Sequence, residues 1–345
     1  MDRVDALIVG GGPAGSSCAW ALRQAGIDTL ILDAQAFPRI KLCAGWITPS
    51  VVRLLGMTPA TYPYSFLTFR AMPIEYHGRA SVRRFTLHST QHSIRRYEFD
   101  HWLLQRSGAR FQQHHVRDIR REDGRYIVDD RFESRFLVGA GGTHCPVRRL
   151  VFSDASPRRR EMQVATLEEE FFHPERDEIC RLWFREHRLA GYAWFVPKGQ
   201  GWLNVGLGAF SAHLGQDGRS LREHWSLFVR GLAGRGLVRG HAFNPRGHTY
   251  YVRAPVQDVR RDGCYLIGDS AGLATRDLGE GIGPAVESGL LAAQAILTGR
   301  PYALDNMTKY SYLPSGLVTN LAERVLDRDG GFFRDRVFGH RAPAA

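Results

Sequence analysis

Lysine is nearly absent from this chain. Only Lys41, Lys198 and Lys309 stand among 46 basic residues, so the formal net charge of +11 is carried by arginine. That balance reads either as a solvated basic surface or as attraction to an anionic substrate or a membrane surface. No recognised nucleic-acid module accompanies it, which argues against nucleic-acid binding. A run of eighteen apolar residues is also missing, so no transmembrane helix is expected. The five cysteines, Cys18, Cys43, Cys145, Cys180 and Cys264, are odd in number and show no C-x-x-C spacing. The first strand starts almost at Met1 and leaves no room for a signal peptide. Together these features lead us to expect reduced thiols, a cytoplasmic location and no metal site. No internal repeat is visible.

The residues that are present open on a phosphate cradle. Ala6-Leu7-Ile8-Val9 reads as a buried parallel strand. Gly10, Gly12 and Gly15 follow in G-x-G-x-x-G spacing, then a helix to about Ala25, with Gly26 placed to end it. A second strand, Thr29 to Leu32, leads into Asp33. In this pattern Gly10 allows the turn, Gly12 lets backbone approach a pyrophosphate, and Gly15 lets helix and strand pack. The helix start offers unpaired N–H groups to phosphate, and the acid accepts from a ribose diol. The motif alone does not separate NAD from FAD.

After Asp33, Arg39 and Lys41 are placed to meet cofactor phosphates, and Cys43-Ala44-Gly45 sets a thiol beside a flexible glycine. Cys43 otherwise reads as a small buried hydrophobe. Strand-like pieces recur at Phe66–Ala71 and Val82–Leu87, as in a second, β-rich layer. The stretch "RRYEFDHWLLQR" turns helical, with Arg96 at its start either reaching a phosphate or lying in solvent. Tyr126–Val128 and Phe132–Ala140 read as strands of the nucleotide domain, and Gly141-Gly142 follow them. A hairpin comes next: strand 191–196, turn 197–201, return 202–208. Period two puts Tyr192, Trp194 and Val196 on one face, as core aromatics or as a wall toward an apolar ligand. A helix is expected over about 220–232. Then "CYLIGDSAG" forms a strand ending at Gly268-Asp269, and a helix follows from about Pro284 to Leu297. The tail is expected to be helical near Leu317 to Leu326.

Four stations in order, G-x-G-x-x-G, R-x-x-F-D, V-G-A-x-G…V-R and a late G-D with G-E-G-I, resemble the FAD-dependent oxidoreductases of the p-hydroxybenzoate hydroxylase fold. "KLCAGW" and "YAWFVPKGQGWLNVGLG" are most similar to the geranylgeranyl reductase family, and "KLCAGWITP" and "GAGGTHCPV" to its CbrA-like branch. The resemblance spans residues 1 to about 300. It implies an α/β fold, a Rossmann-like FAD-binding domain with an inserted β-rich substrate domain. The segments would be 1–60, 95–155 and 255–300 for FAD, 61–94 and 156–254 for substrate, and 301–345 for a helical tail.

The resemblance also implies a cofactor set: Gly10, Gly12, Pro13, Ala14, Gly15, Asp33, Ala34, Lys41, Ala44, Arg96, Gly268, Asp269, Gly279, Gly281, Ile282 and Gly283. In it, Gly10, Gly12, Gly15 and Asp33 hold the ADP half of FAD, Arg96 the phosphates, and Asp269 a ribityl or ribose group. Residues 279–283 present N–H groups to the flavin pyrimidine edge, where such donors stabilise reduced flavin. Cys43 would lie near the isoalloxazine. Cys43, Tyr192 and Trp194 are the catalytic candidates, and NAD(P)H is a candidate electron donor. The superfamily's Asp-Gly is Gly141-Gly142 here, a departure at a position tied to NADPH handling.

The function so implied is reduction of C=C bonds in an isoprenoid or other apolar substrate by hydride transfer from reduced flavin. Its proton would come from Cys43, Tyr192 or water. Alternatives are a flavin monooxygenase and a non-catalytic flavin electron carrier. A flavin halogenase is disfavoured, since that group uses a lysine in the nucleotide half and only Lys41 stands in the first 197 residues. Peripheral membrane contact stays open, as does the oligomeric state.

Overall fold

Ala6, Leu7 and Ile8, and likewise Ile31 and Leu32, have no exposed surface. Strands with runs this apolar must be covered on both faces, which calls for a parallel sheet between layers. The computed structural model describes residues 1–311 except 59, 79, 155–157, 255–257, 306 and 308–310. Its first sheet contains five parallel strands in the spatial order Arg110–Gln113, Thr29–Asp33, Asp2–Val9, Phe132–Gly139, Cys264–Leu266. Helices Pro13–Gln24 and Ile282–Thr298 pack together over one face, on Ala6, Ile8, Ile31 and Val138. The other face is covered by Tyr126 and Val128 of an antiparallel hairpin, with Val147 and Phe152. The chain runs outward from Asp2–Val9 on one side, then returns to build on the other. The strand order therefore reverses beside Val9 and Gly139, where open α/β sheets bind ligands at the strands' carboxyl ends.

The second sheet has eight strands: Arg246–Tyr251, Gln163–Phe172, Trp202–Phe210, Gly191–Pro197, Arg181–Phe184, Phe66–His77, Val82–Ile94 and Trp46–Ile47, in that spatial order. It is antiparallel except between Arg181–Phe184 and Phe66–His77. Alternation divides its faces. Ala193, Phe195, Val205 and Leu207 pack on Trp225, Phe228 and Leu232 of the helix Leu221–Gly234. Ser220 and Glu223 close a capping box at that helix's start. Trp194 and Val196 point to the opposite face, with Leu182 and Met72.

The expected elements appear with shifted ends. The expected strands 66–71 and 82–87 extend to Phe66–His77 and Val82–Ile94. The 220–232 helix runs over Leu221–Gly234, and the Pro284 helix begins at Ile282. Trp46–Ile47 lies within the expected first FAD segment yet pairs with Val82–Ile94 in the second sheet. The Gly45 carbonyl accepts from Ile94 N at 2.8 Å, so the loop after Asp33 is stitched to the β-rich layer. A short helix, Pro49–Leu54, follows it. The expected tail helix lies outside the described residues. Among those residues no helix is long and apolar enough to cross a membrane.

Candidate active site

The glycine turn fixes the first wall of the site. Gly10 has φ 117°, and a Cβ there would stand 2.3 Å from the Ala140 carbonyl oxygen. Only glycine admits both the conformation and the contact. The helix that follows starts at Pro13 and no side chain caps it, so its first N–H groups remain available to an anion. Asp33 ends the second strand, with Oδ2 accepting from Gly11 N (2.8 Å) and Oδ1 from Gln35 N (2.9 Å). The turn and the carboxylate thus hold each other in place. Gly10, Gly12, Pro13, Ala14, Asp33 and Ala34 border one cavity of about 620 Å³ between the two sheets. That volume is ordinary for a ligand site.

Arg39, Lys41 and Arg96 add positive charge to the same cavity. Arg96 is buried, and its Nε and Nη2 form a fork with Asp100 Oδ1 and Oδ2 (2.6 and 2.8 Å). Burial disfavours its charge, but Asp100 overrides this and keeps the guanidinium protonated. Arg96 is therefore neither solvated nor free: Asp100 aims it, and Cys43 lies beside it. Arg39 also meets Asp100 Oδ2 (3.3 Å). Lys41 turns the other way, its Nζ 2.8 Å from His248 Nε2 in the second sheet. Burial lowers the Lys41 pKa, although nearby Asp269 opposes this. His248 is pushed down to about 3 by burial and by the charges of Lys41 and Arg96. It is a neutral imidazole at neutral pH.

Cys43 is half-buried on the cavity wall, and its Sγ accepts from Gly45 N at 3.3 Å. The loop it belongs to rests on a group that sequence reasoning placed in a hairpin turn. Lys198 is fully buried and donates to Glu170 Oε2 (2.6 Å) and to the Cys43 carbonyl (3.4 Å). Arg95 binds the same Glu170 (3.0 Å) and stacks over Trp202. Burial would raise the Glu170 pKa, yet the two cations hold it below its ordinary value.

The far wall is the second sheet. Tyr192, Trp194, Val196 and Leu182 line the cavity, so the period-two face of the hairpin is the cavity-facing one. The Tyr192 hydroxyl donates to the Leu278 carbonyl at 2.5 Å. Trp194 Nε1 donates to Asn204 Oδ1 at 2.7 Å. Glu168, Thr166, His248 and Tyr250 join this wall, and sequence reasoning missed all four. Their signal was alternation: 166, 168 and 170 share one face of Gln163–Phe172, as do 248 and 250 in the paired strand. Three consecutive glutamates hid it by resembling a solvated edge.

Asp269, Gly279, Glu280, Gly281 and Ile282 close the cavity. Gly268 is buried in the turn before them. The expected row of free donors over 279–283 is largely occupied. Gly279 N donates to Thr275 O (3.1 Å), Glu280 N to Thr275 Oγ1 (2.9 Å) and Gly283 N to Glu280 Oε1 (2.6 Å). Burial raises the Glu280 pKa to about 7. The five cysteines are all free, and no cluster able to hold a metal occurs among the described residues.

The chain resembles known proteins along most of its length. Residues 8–47 match the NAD(P)-binding Rossmann-like domain family. Digeranylgeranylglycerophospholipid reductase 1 of Methanopyrus kandleri is 28% identical over 316 residues, covering 84% of this chain and 79% of that protein. Geranylgeranyl diphosphate reductase of Rhodobacter capsulatus is 27% identical over 331 residues, covering 87% and 77%. The crystal structure of a geranylgeranyl bacteriochlorophyll reductase-like protein from Thermoplasma acidophilum superposes with a TM-score of 0.72 at 20% identity, covering 95% of this chain and 84% of that one. The flavin-dependent brominase Bmp2 shares the fold with a TM-score of 0.63 at 18% identity, covering 87% and 81%. The glycine turn, the uncapped helix start, the acid and the cationic loop fit a dinucleotide with a pyrophosphate. The chain is an FAD-dependent oxidoreductase related to the geranylgeranyl and digeranylgeranylglycerophospholipid reductases, with the architecture of p-hydroxybenzoate hydroxylase-like flavoproteins.

Proposed function

We propose that this flavoprotein reduces carbon–carbon double bonds of an isoprenoid or similarly apolar substrate. The observation that carries the reading is the far wall of the cavity. Tyr192, Trp194, Val196 and Leu182 present an apolar, aromatic surface continuous with the cofactor cradle. Apolar surface of this kind takes a hydrocarbon chain out of water at about 25 cal/mol per Å² buried. The names of the two reductases above support the same substrate class. FAD, when bound, supplies two-electron redox chemistry with NAD(P)H as a candidate donor.

The chain's own groups have distinct tasks in this reading. The Gly10–Gly15 turn and Asp33 bind the ADP half, and Arg96, oriented by Asp100, neutralises phosphate charge. Asp269 meets a cofactor hydroxyl. Lys198 and Glu170 fix the Cys43–Gly45 loop, so Cys43 stands at a constant position in the wall. Tyr192, anchored to Leu278, and Trp194, anchored to Asn204, keep the aromatic surface rigid and exclude water. Of the three candidate proton sources, Tyr192 has its O–H proton committed to a carbonyl.

The test is the reaction of photoreduced, FAD-loaded protein with oxygen, followed by stopped-flow absorbance. Slow, direct return to the oxidised spectrum is expected. A fast oxygen-dependent transient, with oxygen uptake coupled to an aromatic substrate or to halide, would replace this reading with oxygenase or halogenase chemistry. Lys41, which faces the cavity, would then be the first residue to substitute.

A further inference from the structure

Glu168 is a carboxyl group almost wholly removed from water, with 3% of its surface exposed, on the cavity's aromatic wall. No task assigned above uses it. Its neighbours converge on it by strand register. Glu168 and Trp194 both pair with Gly206, one from each side. A Cβ at Gly206 would stand 2.3 Å from the Trp194 ring and 2.7 Å from the Glu168 Cβ. The missing side chain lets indole and carboxylate approach each other over the glycine.

The hydrogen bonds there run in one direction. Indole N–H can only donate, so Trp194 fixes the Asn204 amide with its oxygen toward the ring. The amide nitrogen is thereby turned to Glu168 and donates to Oε2 at 3.2 Å. Oε1 has no hydrogen-bond partner among the described residues. A buried carboxyl with one oxygen anchored and the other unbonded can carry a proton toward a ligand.

We propose that Glu168 is the acid that delivers the second proton to the substrate double bond. This rests on the reductase reading. Two electrons and one proton reach one carbon from reduced flavin. The second proton reaches the other carbon from the Glu168 carboxyl. The π bond, an N–H bond of the reduced flavin and the Glu168 O–H bond break, two C–H bonds form, the flavin is left oxidised, and the Glu168 carboxylate regains a proton from water.

The charge environment agrees. Burial raises the Glu168 pKa to about 7, while Asn204, Lys198 and Lys41 hold it from going higher and Glu170 pushes it up. Tyr250 faces the same space with its hydroxyl pKa raised by burial, and neutral His248 stands beside Thr166. An acid poised near the working pH is the most effective proton donor.

Two measurements test the proposal on the FAD-loaded protein. The first is infrared titration of the protonated-carboxyl band. Glu168 and Glu280 both contribute to this band near neutrality, and the part lost with a midpoint near 7 that belongs to Glu168 is expected to be missing from Glu168→Gln while the Glu280 part remains. A band unchanged by the substitution would overturn the proposal. The second is anaerobic single-turnover oxidation of photoreduced protein by geranylgeranyl diphosphate. Glu168→Gln, which can still accept from Asn204, should slow it by about 100-fold or more and abolish its pH dependence around neutrality. An unchanged rate in Glu168→Gln, with wild type active, would overturn the proton role and leave the reductase reading standing. A wild type that oxidises with no prenyl compound would overturn the reductase reading, and this role with it. Should Glu168→Gln lose FAD, Glu168→Asp serves instead: it should keep a titrating band and react slowly, and a wild-type rate would overturn the proposal.

Discussion

Lys198→Met removes one charge from the network under the Cys43 loop and keeps the length of the side chain. No large cavity term should arise, so the effect reports the ion pair. Lys198 is fully buried, and the Glu170 side chain is 22% exposed. Removing one partner of such a pair costs about 3–5 kcal/mol, because the remaining charge stays buried. Glu170 keeps Arg95 at 3.0 Å, so the lower end, about 3 kcal/mol, is expected here. Urea titration of the FAD-loaded protein measures it. The pH dependence has a definite sign. The Glu170 pKa is lowered in the folded state, so its stabilisation is present above the ordinary value of 4.5 and is lost as pH falls below it. Lys198→Met should flatten that acid limb and weaken FAD binding, since the Cys43 carbonyl loses a donor. Stability within about 0.5 kcal/mol of wild type, with unchanged FAD affinity, would refute the reasoning.

Other consequences are as direct. Gly10→Ala places a methyl group against the Ala140 carbonyl in a backbone conformation alanine resists, so the purified protein should be colourless even with added FAD. Asp100→Asn leaves Arg96 and Arg39 without their carboxylate and should lower stability by about 3 kcal/mol, read from the denaturation midpoint. His248 is depressed from 6.5 to about 3, so its contribution to stability is present above 6.5 and fades as pH falls toward 3. His248→Gln should remove that part of the acid sensitivity in a thermal-melt series. Trp194→Phe deletes the donor to Asn204 and leaves a buried amide oxygen unmet, for a loss of about 1–3 kcal/mol by urea titration.

The parts of the molecule legible in the sequence were those governed by local rules. The glycine turn, the strands around it and the 191–208 hairpin follow from spacing and alternation, and the order of four motifs carried the fold. Features set by long-range pairing were less accessible. Trp46–Ile47 is too short to show a period, and only its pairing with Ser93 and His92 puts it in the second sheet. Lys198 reads as a turn residue beside Gly199, yet the turn folds back and buries it against Glu170. Arg96 and Asp100 stand at helical i,i+4 spacing, a signal that could have exposed their pairing. Glu168 was masked by two adjoining glutamates. One of them, Glu169, faces the other way to accept from His241 and Asn244.

The reaction proposed for this flavoprotein is addition of hydrogen across isoprenoid double bonds. Its most direct test is anaerobic incubation of photoreduced, FAD-loaded protein with geranylgeranyl diphosphate, followed by mass spectrometry of the prenyl product. The expected product is heavier by two hydrogens for each double bond reduced and forms without oxygen. Unchanged prenyl diphosphate, together with a product that forms only when oxygen is admitted with an aromatic substrate, would contradict it.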